Sequence, residues 1–374
     1  MRILQVFASL NVGGAETRMM DVFRNIDREK FSFDFLTMSL EEQYYESEIK
    51  ELGGKIIKIA PPREKGAFGN LKDIINVLKT NGSYDAVHAH TSHHCGVVML
   101  AAKICGVSVR ISHARTTGSK RRSFASKISL ALGRRFISMF ATHRLAISSE
   151  AGAYLFGENS INKGNVLVMP NAVESEKLLL VDFELVEKLK MQYLKAGAYP
   201  VLGHIGRFEE MKNHTFILEI FDQFVKTNPN AFLILIGTGR LQPQIEQLAI
   251  EKNLMKNILF AGLRRDISNW LPIFNVFIMP SIFEGLGGAA IEAQIAGIPC
   301  VLSSAMPKEV DMQMGLVKFL PLLDDKETWC KAVTEQLSCN IPTIQQRRQI
   351  TNELGYSIDN AVKTLSEIYF GDLK

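Results

Sequence analysis

Residues 280–297 read PSIFEGLGGAAIEAQIAG and follow directly on an apolar run, Val276 to Met279. The run stops at a proline, three glycines follow, and Glu292 lies in an alanine-rich segment of helical pattern. This order predicts a strand, a loop that carries Glu284, and the start of a helix. The N-terminus of a helix presents unpaired backbone N–H groups and a positive dipole end, which bind phosphate. The alternative is a buried strand, turn and helix whose glycines serve packing and whose glutamates are solvated.

The composition indicates a folded protein with a local excess of basic side chains. The chain has 374 residues, of which 47% are hydrophobic, and this length predicts two domains. The net charge is +4. The segment from Arg115 to Arg144 contains eight Lys or Arg residues and no Asp or Glu, which leaves 35 basic against 39 acidic residues elsewhere.

Neither the cysteines nor the N-terminus indicates export. The five cysteines are scattered without CxxC spacing, which argues against a disulfide framework and against a zinc site. The N-terminal sequence MRILQVFAS lacks the apolar region and cleavage site of a signal peptide. No apolar run approaches the ~20 residues of a membrane span. We therefore expect a cytoplasmic protein, with any membrane contact peripheral and at the inner face of the cell membrane.

The order of apolar runs predicts an α/β fold. Short apolar runs alternate with longer segments of helical period, with seven predicted strands in the first half and five in the second. This alternation is typical of doubly wound parallel sheets, and two Rossmann-like domains that face a central cleft are expected. We place the N-terminal domain at 1–172 and the C-terminal domain at 173–355. The polar stretch 174–195, after a breaker at 169–172, is interpreted as the hinge.

A glycine pair, Gly13-Gly14, stands between the first predicted strand and the helix that follows it. Such a pair lets a pyrophosphate or a sugar approach the backbone closely. The third glycine of the G-x-G-x-x-G motif is missing here and also at residues 237–242. No acidic residue occupies the dinucleotide position after the second strand. These absences count against a nicotinamide or flavin enzyme.

Several histidines lie at or near predicted strand ends. Alternation along a strand places His88 and His90 on one face, but a catalytic zinc site needs a third ligand, and neither HExxH spacing nor a cysteine pair supplies it. We therefore expect no metal. His113 ends another predicted strand and is expected to project from the carboxyl edge of the sheet into the cleft. Its alternative role is that of a structural histidine.

A cationic amphipathic helix is predicted over residues 123–140. Apolar residues recur near helical spacing among basic residues, of which we single out Arg121, Arg122, Lys127, Arg134 and Arg135. Such a helix is typical of a dock for an anionic membrane surface or a lipid-phosphate acceptor. The alternative is a helix that packs on the core and exposes a solvated basic face. Nucleic acid is not expected, because aromatic residues do not interleave the charges as in a stacking platform.

Two basic residues follow the first strand of the second half. Arg207 and Lys212 are five residues apart, between a glycine at a strand end and a predicted helix, so both side chains can point at one anionic group. Together with the helix start near Gly288 they would neutralise a diphosphate without a metal. A nucleotide-sugar transferase needs this arrangement, because the nucleoside diphosphate must become a good leaving group. The alternative is that both are surface charges in a loop.

These motifs resemble those of the retaining glycosyltransferases of family 4, which have the GT-B fold. In the order of the family they are Gly13-Gly14, Arg207 with Lys212, Gly237-Thr238-Gly239, Phe260-x-Gly262, and Glu284 with Glu292 in E-x7-E spacing. The resemblance covers nearly the whole chain. The runs GGAET, AVHAHTS, RISHART, GRFEEMKNH and MPSIFEGL look most like transferases of bacterial exopolysaccharide and capsule gene clusters.

The resemblance implies a role for each matching residue of the donor half. Arg207 and Lys212 would bind the donor diphosphate. Glu292 would accept hydrogen bonds from the ribose, and Glu284 would contact the sugar hydroxyls. Backbone groups contacting sugar and phosphate would come from Leu286, Gly287, Gly288 and Ala289. Residues flanking the base would be Thr238, Gly239, Gly262, Leu263 and Arg264.

In the N-terminal domain, the resemblance implies that Gly13 and Gly14 let that domain close over the diphosphate. His113 matches the family histidine near the transferred sugar and would be catalytic together with Arg207, Lys212 and Glu284. A C-terminal helix, in residues 356–374, would cross back to the N-terminal domain.

Two positions depart from the commoner family pattern. Glu284 is followed by Gly-Leu-Gly-Gly where many members have Pro-Phe-Gly, which leaves the choice of sugar open. Lys212 is followed by Asn213 where glycine is commoner, and this variant should leave the role of the lysine intact.

The expected activity is retaining transfer of a hexose from a nucleotide diphosphate sugar, with UDP as the expected nucleotide, to a lipid-linked glycan. No cofactor is expected. Two alternatives remain open at this point. One is a GT-B-like nucleotide-sugar epimerase, which needs no acceptor, and the other is a non-catalytic glycan- or lipid-binding subunit of a synthesis complex.

Overall fold

The computed structural model describes residues 1–116 and 124–372. The chain divides into two compact units. The first unit comprises Met1–Val173 together with Gly355–Lys374, and the second comprises Glu174–Leu354. The chain passes from the first unit to the second at 173/174 and returns to the first at 354/355. Each of these boundaries lies one residue from the one expected, at 172/173 and 355/356.

The first unit is built on a sheet of seven parallel strands in the order β3-β2-β1-β4-β5-β6-β7. The strands are β1 Arg2–Phe7, β2 Ser32–Thr37, β3 Lys55–Lys58, β4 Ala86–Ala89, β5 Val109–Ala114, β6 His143–Ala146 and β7 Leu167–Val168. The strand order reverses between β1 and β4, and in doubly wound sheets ligands bind at this switch point, outside the carboxyl ends of the strands. Gly13 follows β1 and His90 follows β4, so both lie at the switch point.

Seven helices of the first unit connect these strands. They are α1 Gly14–Asn25, α2 Glu46–Glu51, α3 Pro62–Thr80, α4 Cys95–Ile104, α5 Phe124–Phe140, α6 Ser149–Phe156 and α7 Glu158–Asn162. α4 and α5 pack closely, because glycines face each other at their contact. A Cβ on Gly96 would lie 2.7 Å from the carbonyl oxygen of Gly133. This contact buries one face of α5 and leaves its opposite face outward.

The second unit has six parallel strands in the order β10-β9-β8-β11-β12-β13. They are β8 Val201–Ile205, β9 Phe232–Ile236, β10 Ile258–Gly262, β11 Val276–Met279, β12 Cys300–Ser303 and β13 Val317–Leu320. The sequence predicted only five of them. The missed strand, β13, is a short edge strand of sequence VKFL in which Lys318 is exposed, so it has no continuous apolar run.

The helices of the second unit are α8 Ser175–Leu179, α9 Phe183–Tyr193, α10 His214–Thr227, α11 Gln242–Glu251, α12 Ile267–Trp270, α13 Gly288–Ile295, α14 Lys326–Gln336 and α15 Ile344–Glu353. The stretch interpreted as the hinge, 174–195, therefore contains two helices of the second unit, and the boundary between the units lies at its start, between Val173 and Glu174. α8 packs on α13 and α9 on α12 within the same unit. The charged residues that suggested a linker lie largely on the exposed faces of these helices.

The last helix, α16 Ile358–Phe370, belongs to the first unit and packs against α1. Its residue Tyr369 is fully buried, and its ring meets that of Phe33 edge to face with centroids 5.9 Å apart. The C-terminal part of the chain thus completes the core of the N-terminal unit. None of the helices in the described ranges combines the length and the apolar character needed to cross a membrane.

Candidate active site

The E-x7-E segment of the second unit has the structure that its sequence predicts. β11 ends at Met279, Glu284 lies in the loop, and α13 begins at Gly288 with Glu292 as its fifth residue. Gly287 caps the helix in the left-handed conformation, with φ of 89°, which an L side chain rarely adopts. Gly288 differs, because a Cβ there would have no atom within 4 Å. Neither packing nor backbone conformation therefore explains Gly288, and open space lies at the helix N-terminus.

An ion pair joins two of the predicted donor-site residues. Lys212 Nζ lies 2.6 Å from Glu284 Oε1, and the two side chains are only 15% and 11% exposed. Lys212 comes from the loop between β8 and α10, and Glu284 from the loop between β11 and α13. The same two loops are joined by a backbone hydrogen bond from the Ile282 N–H to the Met211 carbonyl, at 2.8 Å. The structure therefore holds the basic loop against the glutamate loop.

Arg207 and Glu292 lie in the same unit as this ion pair. Arg207 follows the carboxyl end of β8 and is exposed, so its guanidinium is accessible to an anion. Glu292 is half-buried on α13. Arg207 therefore lies at the carboxyl end of a strand of the second sheet, and Glu292 lies in the helix that follows β11.

The loop from Gly237 to Gly239 packs against the loop that carries Arg207. A Cβ on Gly239 would lie 2.6 Å from the carbonyl oxygen of Phe208, and the Phe208 N–H donates to the Thr238 carbonyl at 3.1 Å. Gly239 is thus explained by the close approach of two backbones. Thr238 itself is exposed.

The three residues predicted to flank a base are used in different ways. The Gly262 carbonyl accepts a hydrogen bond from the Gly237 N–H at 2.9 Å, and Leu263 is exposed. The guanidinium of Arg264 instead lies over the ring of Trp270, 4.6 Å from its centroid, and donates to the Ala261 carbonyl. Arg264 is therefore engaged in the packing of the unit.

One residue that supports the site was not found from the sequence. Arg347 in α15 is buried and donates to the carbonyl of Ile295, in the last turn of α13, and to the carbonyl of Pro342. A cation at this end of a helix stabilises its dipole. Arg347 stands in the polar run QQRRQ, in which nothing distinguishes it from a surface arginine.

In the first unit, the glycine pair lies at the start of α1. The backbone of Gly13 is extended, and a Cβ on Gly14 would have no atom within 4 Å. A Cβ on Gly13 would be crowded by the end of a flexible side chain, that of Glu16, and would be in ordinary contact with the Asn11 carbonyl oxygen. The described fold therefore does not itself require Gly14, which leaves room for a ligand near the carboxyl end of β1.

The histidines of the first unit form one buried cluster. His88 and His90 share a face, with ring centroids 4.2 Å apart, and His88 Nε2 lies 3.1 Å from His113 Nδ1. A third imidazole therefore does lie beside the pair, contrary to the sequence argument against a metal site. The candidate ligand atoms of the three histidines lie within 4.8 Å of one another. The third ligand was missed because it comes from the neighbouring strand, β5.

The expectation that His113 projects from the edge of the sheet was wrong. His113 is fully buried within β5, one residue before the strand ends. Burial lowers the pKa values of His88, His90 and His113 well below the usual histidine range, so all three rings are neutral near pH 7.

The predicted basic helix is present as α5. Arg121 and Arg122 lie outside the described residues. Lys127 and Arg135 are exposed, whereas Arg134 donates to the carbonyl of Tyr154 in α6. An exposed apolar stripe runs along the same helix and consists of Ile128, Leu132 and Met139, which are four and seven residues apart. The exposed Arg135 lies between Leu132 and Met139 in the sequence.

Comparison with known proteins identifies the class. The model "Glycosyltransferase Family 4" matches residues 12–177, and "Glycosyl transferases group 1" matches residues 186–314. Over 369 residues, the chain is 32% identical to the putative glycosyltransferase EpsF of Bacillus subtilis (strain 168), covering 98% of this chain and 96% of that protein. It is 27% identical to an Escherichia coli UDP-Gal:alpha-D-GlcNAc-diphosphoundecaprenol alpha-1,3-galactosyltransferase, covering 80% and 79% of the two chains.

Among solved structures, Anabaena Alr3699/HepE in complex with UDP superposes with a TM-score of 0.78 at 18% identity, covering 100% of both chains. Two doubly wound parallel-sheet units of this kind make up the GT-B fold, and the family models and the Bacillus subtilis relative show a glycosyltransferase. The chain belongs to glycosyltransferase family 4.

Adjacent glycines at the start of α13 should respond in opposite ways to alanine. Gly288→Ala should preserve or raise stability by up to ~1 kcal/mol, because alanine restricts the unfolded chain and meets open space. Gly287→Ala should lose about 1–2 kcal/mol, because its φ is positive. Thermal unfolding of both variants gives the comparison. Equal losses would show that Gly288 is also required by the fold.

Proposed function

We propose that the chain transfers a hexose from a UDP-linked donor, with retention, to a lipid-linked glycan in exopolysaccharide or capsule biosynthesis. The observation that carries the donor half of the proposal is the Lys212–Glu284 ion pair, which lies in the loops preceding α10 and α13. The relative named for UDP-Gal and diphosphoundecaprenol supports the nucleotide and the class of acceptor. The UDP complex of the structural neighbour supports the same nucleotide.

Lys212 and Arg207 would stabilise the charge that develops on the departing diphosphate. Basic groups and a helix N-terminus aimed at the leaving group act strongly where water is excluded. Glu284 neutralises the largely buried ammonium of Lys212, which would otherwise be costly to hold. On binding, the diphosphate supplies the anion, and Glu284 becomes available to the sugar hydroxyls. No metal or other cofactor is part of this proposal.

Retention would follow from attack on the same face of the sugar from which the diphosphate leaves. The acceptor oxygen forms the new bond to the anomeric carbon while the bond to the diphosphate breaks. The acceptor proton passes to an oxygen of the leaving diphosphate, so no protein nucleophile is needed. In this scheme, Glu292 binds the ribose, and His113 acts near the transferred sugar.

The acceptor would be met at an anionic membrane surface. The stripe Ile128, Leu132 and Met139 is exposed on α5 beside the cations of Lys127 and Arg135. Apolar side chains flanked by cations are typical of helices that lie in the membrane interface. The protein would then be cytoplasmic and peripheral at the inner face of the cell membrane.

The activity itself is tested by supplying UDP-sugars with and without a polyprenyl-diphosphate-linked sugar as acceptor. Transfer should require the acceptor. An isomerised sugar formed without acceptor would favour an epimerase, and donor binding without turnover would favour a binding subunit. Lys212→Ala should lower the turnover about 100-fold, since the loss of one leaving-group donor costs ~3 kcal/mol.

The matched control for this variant is Lys252→Ala. Lys252 pairs with Asp222 at 3.0 Å and belongs to the same unit, but it lies outside the proposed donor site. Its loss should leave turnover unchanged. Full turnover of the Lys212→Ala protein would remove the lysine from the mechanism.

The two glutamates should separate nucleotide affinity from turnover. Glu292→Ala should raise the Kd for UDP about 10-fold or more, because a hydrogen bond to a charged group contributes about 1.5–3 kcal/mol. Glu284→Ala should leave UDP affinity equal or tighter, because it releases Lys212, and should lower the turnover. Calorimetric titration with UDP and an assay with the full donor measure the two effects. Identical behaviour of the two variants would contradict the separate roles.

The membrane contact is tested by sedimentation with liposomes. The protein should bind vesicles containing anionic lipid more than neutral vesicles, and Leu132→Asp should reduce that binding about 10-fold, since a buried leucine contributes about 1.5–3 kcal/mol. Leu323→Asp is the control, because Leu323 is 99% exposed in the other unit. Equal binding to both vesicle types would exclude electrostatic docking.

A further inference from the structure

Six side chains of the first unit form a continuous line of hydrogen bonds. In order they are Arg115, His90, Gln5, Tyr369, His88 and His113. They come from β1, β4, β5, the residues directly after β4 and β5, and α16. All except Arg115, which is partly exposed, are buried. Each imidazole and each amide can donate a hydrogen bond at one end and accept one at the other. If the group at one end of the line can only donate, the donor and the acceptor of every hydrogen bond in the line follow from it.

Arg115 is that fixed end, because a guanidinium donates and never accepts. Burial lowers its pKa to about 10, which leaves it charged at neutral pH. Its Nε donates to His90 Nδ1 at 3.2 Å, so that nitrogen carries no proton. The neutral ring of His90 must then carry its proton on Nε2, which donates to Gln5 Oε1 at 3.1 Å. This also orients the Gln5 amide, with its nitrogen toward Tyr369.

The direction continues through the buried tyrosine. Gln5 Nε2 donates to Tyr369 Oη at 3.0 Å. The hydroxyl has a single proton, and among the described residues its acceptor is His88 Nδ1, at 2.9 Å. His88 is neutral and accepts at Nδ1, so its proton is on Nε2.

The line ends at His113. His88 Nε2 donates to His113 Nδ1 at 3.1 Å, and His113 is also neutral, so its proton is on Nε2. That nitrogen is buried and has no hydrogen-bond partner within the described part of the chain. A buried N–H without a partner is costly and is retained in few places, among them catalytic sites.

We propose that this line of hydrogen bonds fixes His113 as the tautomer protonated on Nε2, so that it offers an oxygen of the transferred sugar a hydrogen-bond donor and not a base. Arg115, His90, Gln5, Tyr369 and His88 are then positioning residues. The fixed tautomer follows from the first unit alone, whereas the contact with the sugar rests on the proposed function. That contact requires a local rearrangement around His113, because its side chain is fully buried.

A metal ion held by the three histidines is the rival explanation of the cluster. His88 and His90 already use both ring nitrogens in hydrogen bonds, and Arg115 places a positive charge beside His90. A cation would have to break these bonds and overcome that charge. The observations therefore favour the hydrogen-bond line, and metal content becomes an outcome of the test.

The first test uses the native protein labelled with ¹⁵N histidine. A long-range ¹H–¹⁵N correlation spectrum at pH 7 should show His113 protonated on Nε2 and unprotonated on Nδ1. A His113→Gln spectrum assigns the signal by its absence. A proton on Nδ1, a doubly protonated ring, or one equivalent of tightly bound metal lost with the His113→Gln substitution would overturn the proposal.

The second test removes the middle of the line. Tyr369→Phe deletes the hydroxyl that fixes His88, so His113 should populate both tautomers. The kcat should fall about 10-fold or more with the KM for the donor unchanged, because a wrong histidine tautomer costs up to about 10⁴-fold in serine proteases. Retention of the single Nε2 tautomer in this variant would overturn the proposal. If the variant fails to fold, the native spectrum still decides.

Tyr84→Phe is the matched control. Tyr84 is a buried tyrosine of the same unit, and its hydroxyl donates to Asp34 at 2.7 Å, outside the line. It should leave the His113 signals and the kcat unchanged. The spectra need no substrate, so the two proposals can fail separately. The expected tautomer in a protein without transferase activity would contradict the proposed function alone. The opposite tautomer in an active transferase would contradict this inference alone.

Discussion

Parallel strand pairing is the constraint on which both candidate sites depend. In each sheet, parallel hydrogen bonding places the carboxyl ends of all strands at one edge, and the loops that follow meet there. Residues far apart in the chain thereby become neighbours, as with Lys212 and Glu284. The helices that cover both faces of each sheet supply the N-termini at the same edge, so anion-binding backbone groups and charged side chains share one location within each unit.

In the second unit, the loops at this edge are held by the backbone as much as by side chains. The Ile282–Met211 and Phe208–Thr238 hydrogen bonds join three loops, and Gly237 and Gly239 both permit the close approach of two of them. A rigid edge of this kind reduces the reorganisation needed when a charged ligand binds. Arg347 acts from the opposite end of α13, where it holds the last turn of the helix that bears Glu292.

The carboxyl edge of the sheet in the first unit differs from that in the second unit, because the polar groups of the first unit are buried. Three neutral imidazoles, an amide and a phenol satisfy one another, and only the last nitrogen of the line has no partner among the described residues. A buried polar network is stable when every member is satisfied, and each hydrogen bond strengthens its neighbours. A single atom without a hydrogen-bond partner at the end of such a line is therefore the best candidate for a functional group.

The sequence by itself determined the repeated strand and helix order, the two doubly wound domains, and the loops and helix that carry Arg207, Glu284 and Glu292. These features are local, because apolar runs, glycines and charges at fixed spacing determine the structure of a single strand, loop or helix. The features that depend on long-range packing were decided only by the tertiary structure. The edge strand β13, the helices within 174–195, the burial of His113 and the support from Arg347 all depend on residues distant in the chain. The line from Arg115 to His113 was invisible in the sequence, because Tyr369 enters it from a helix about 280 residues after His88.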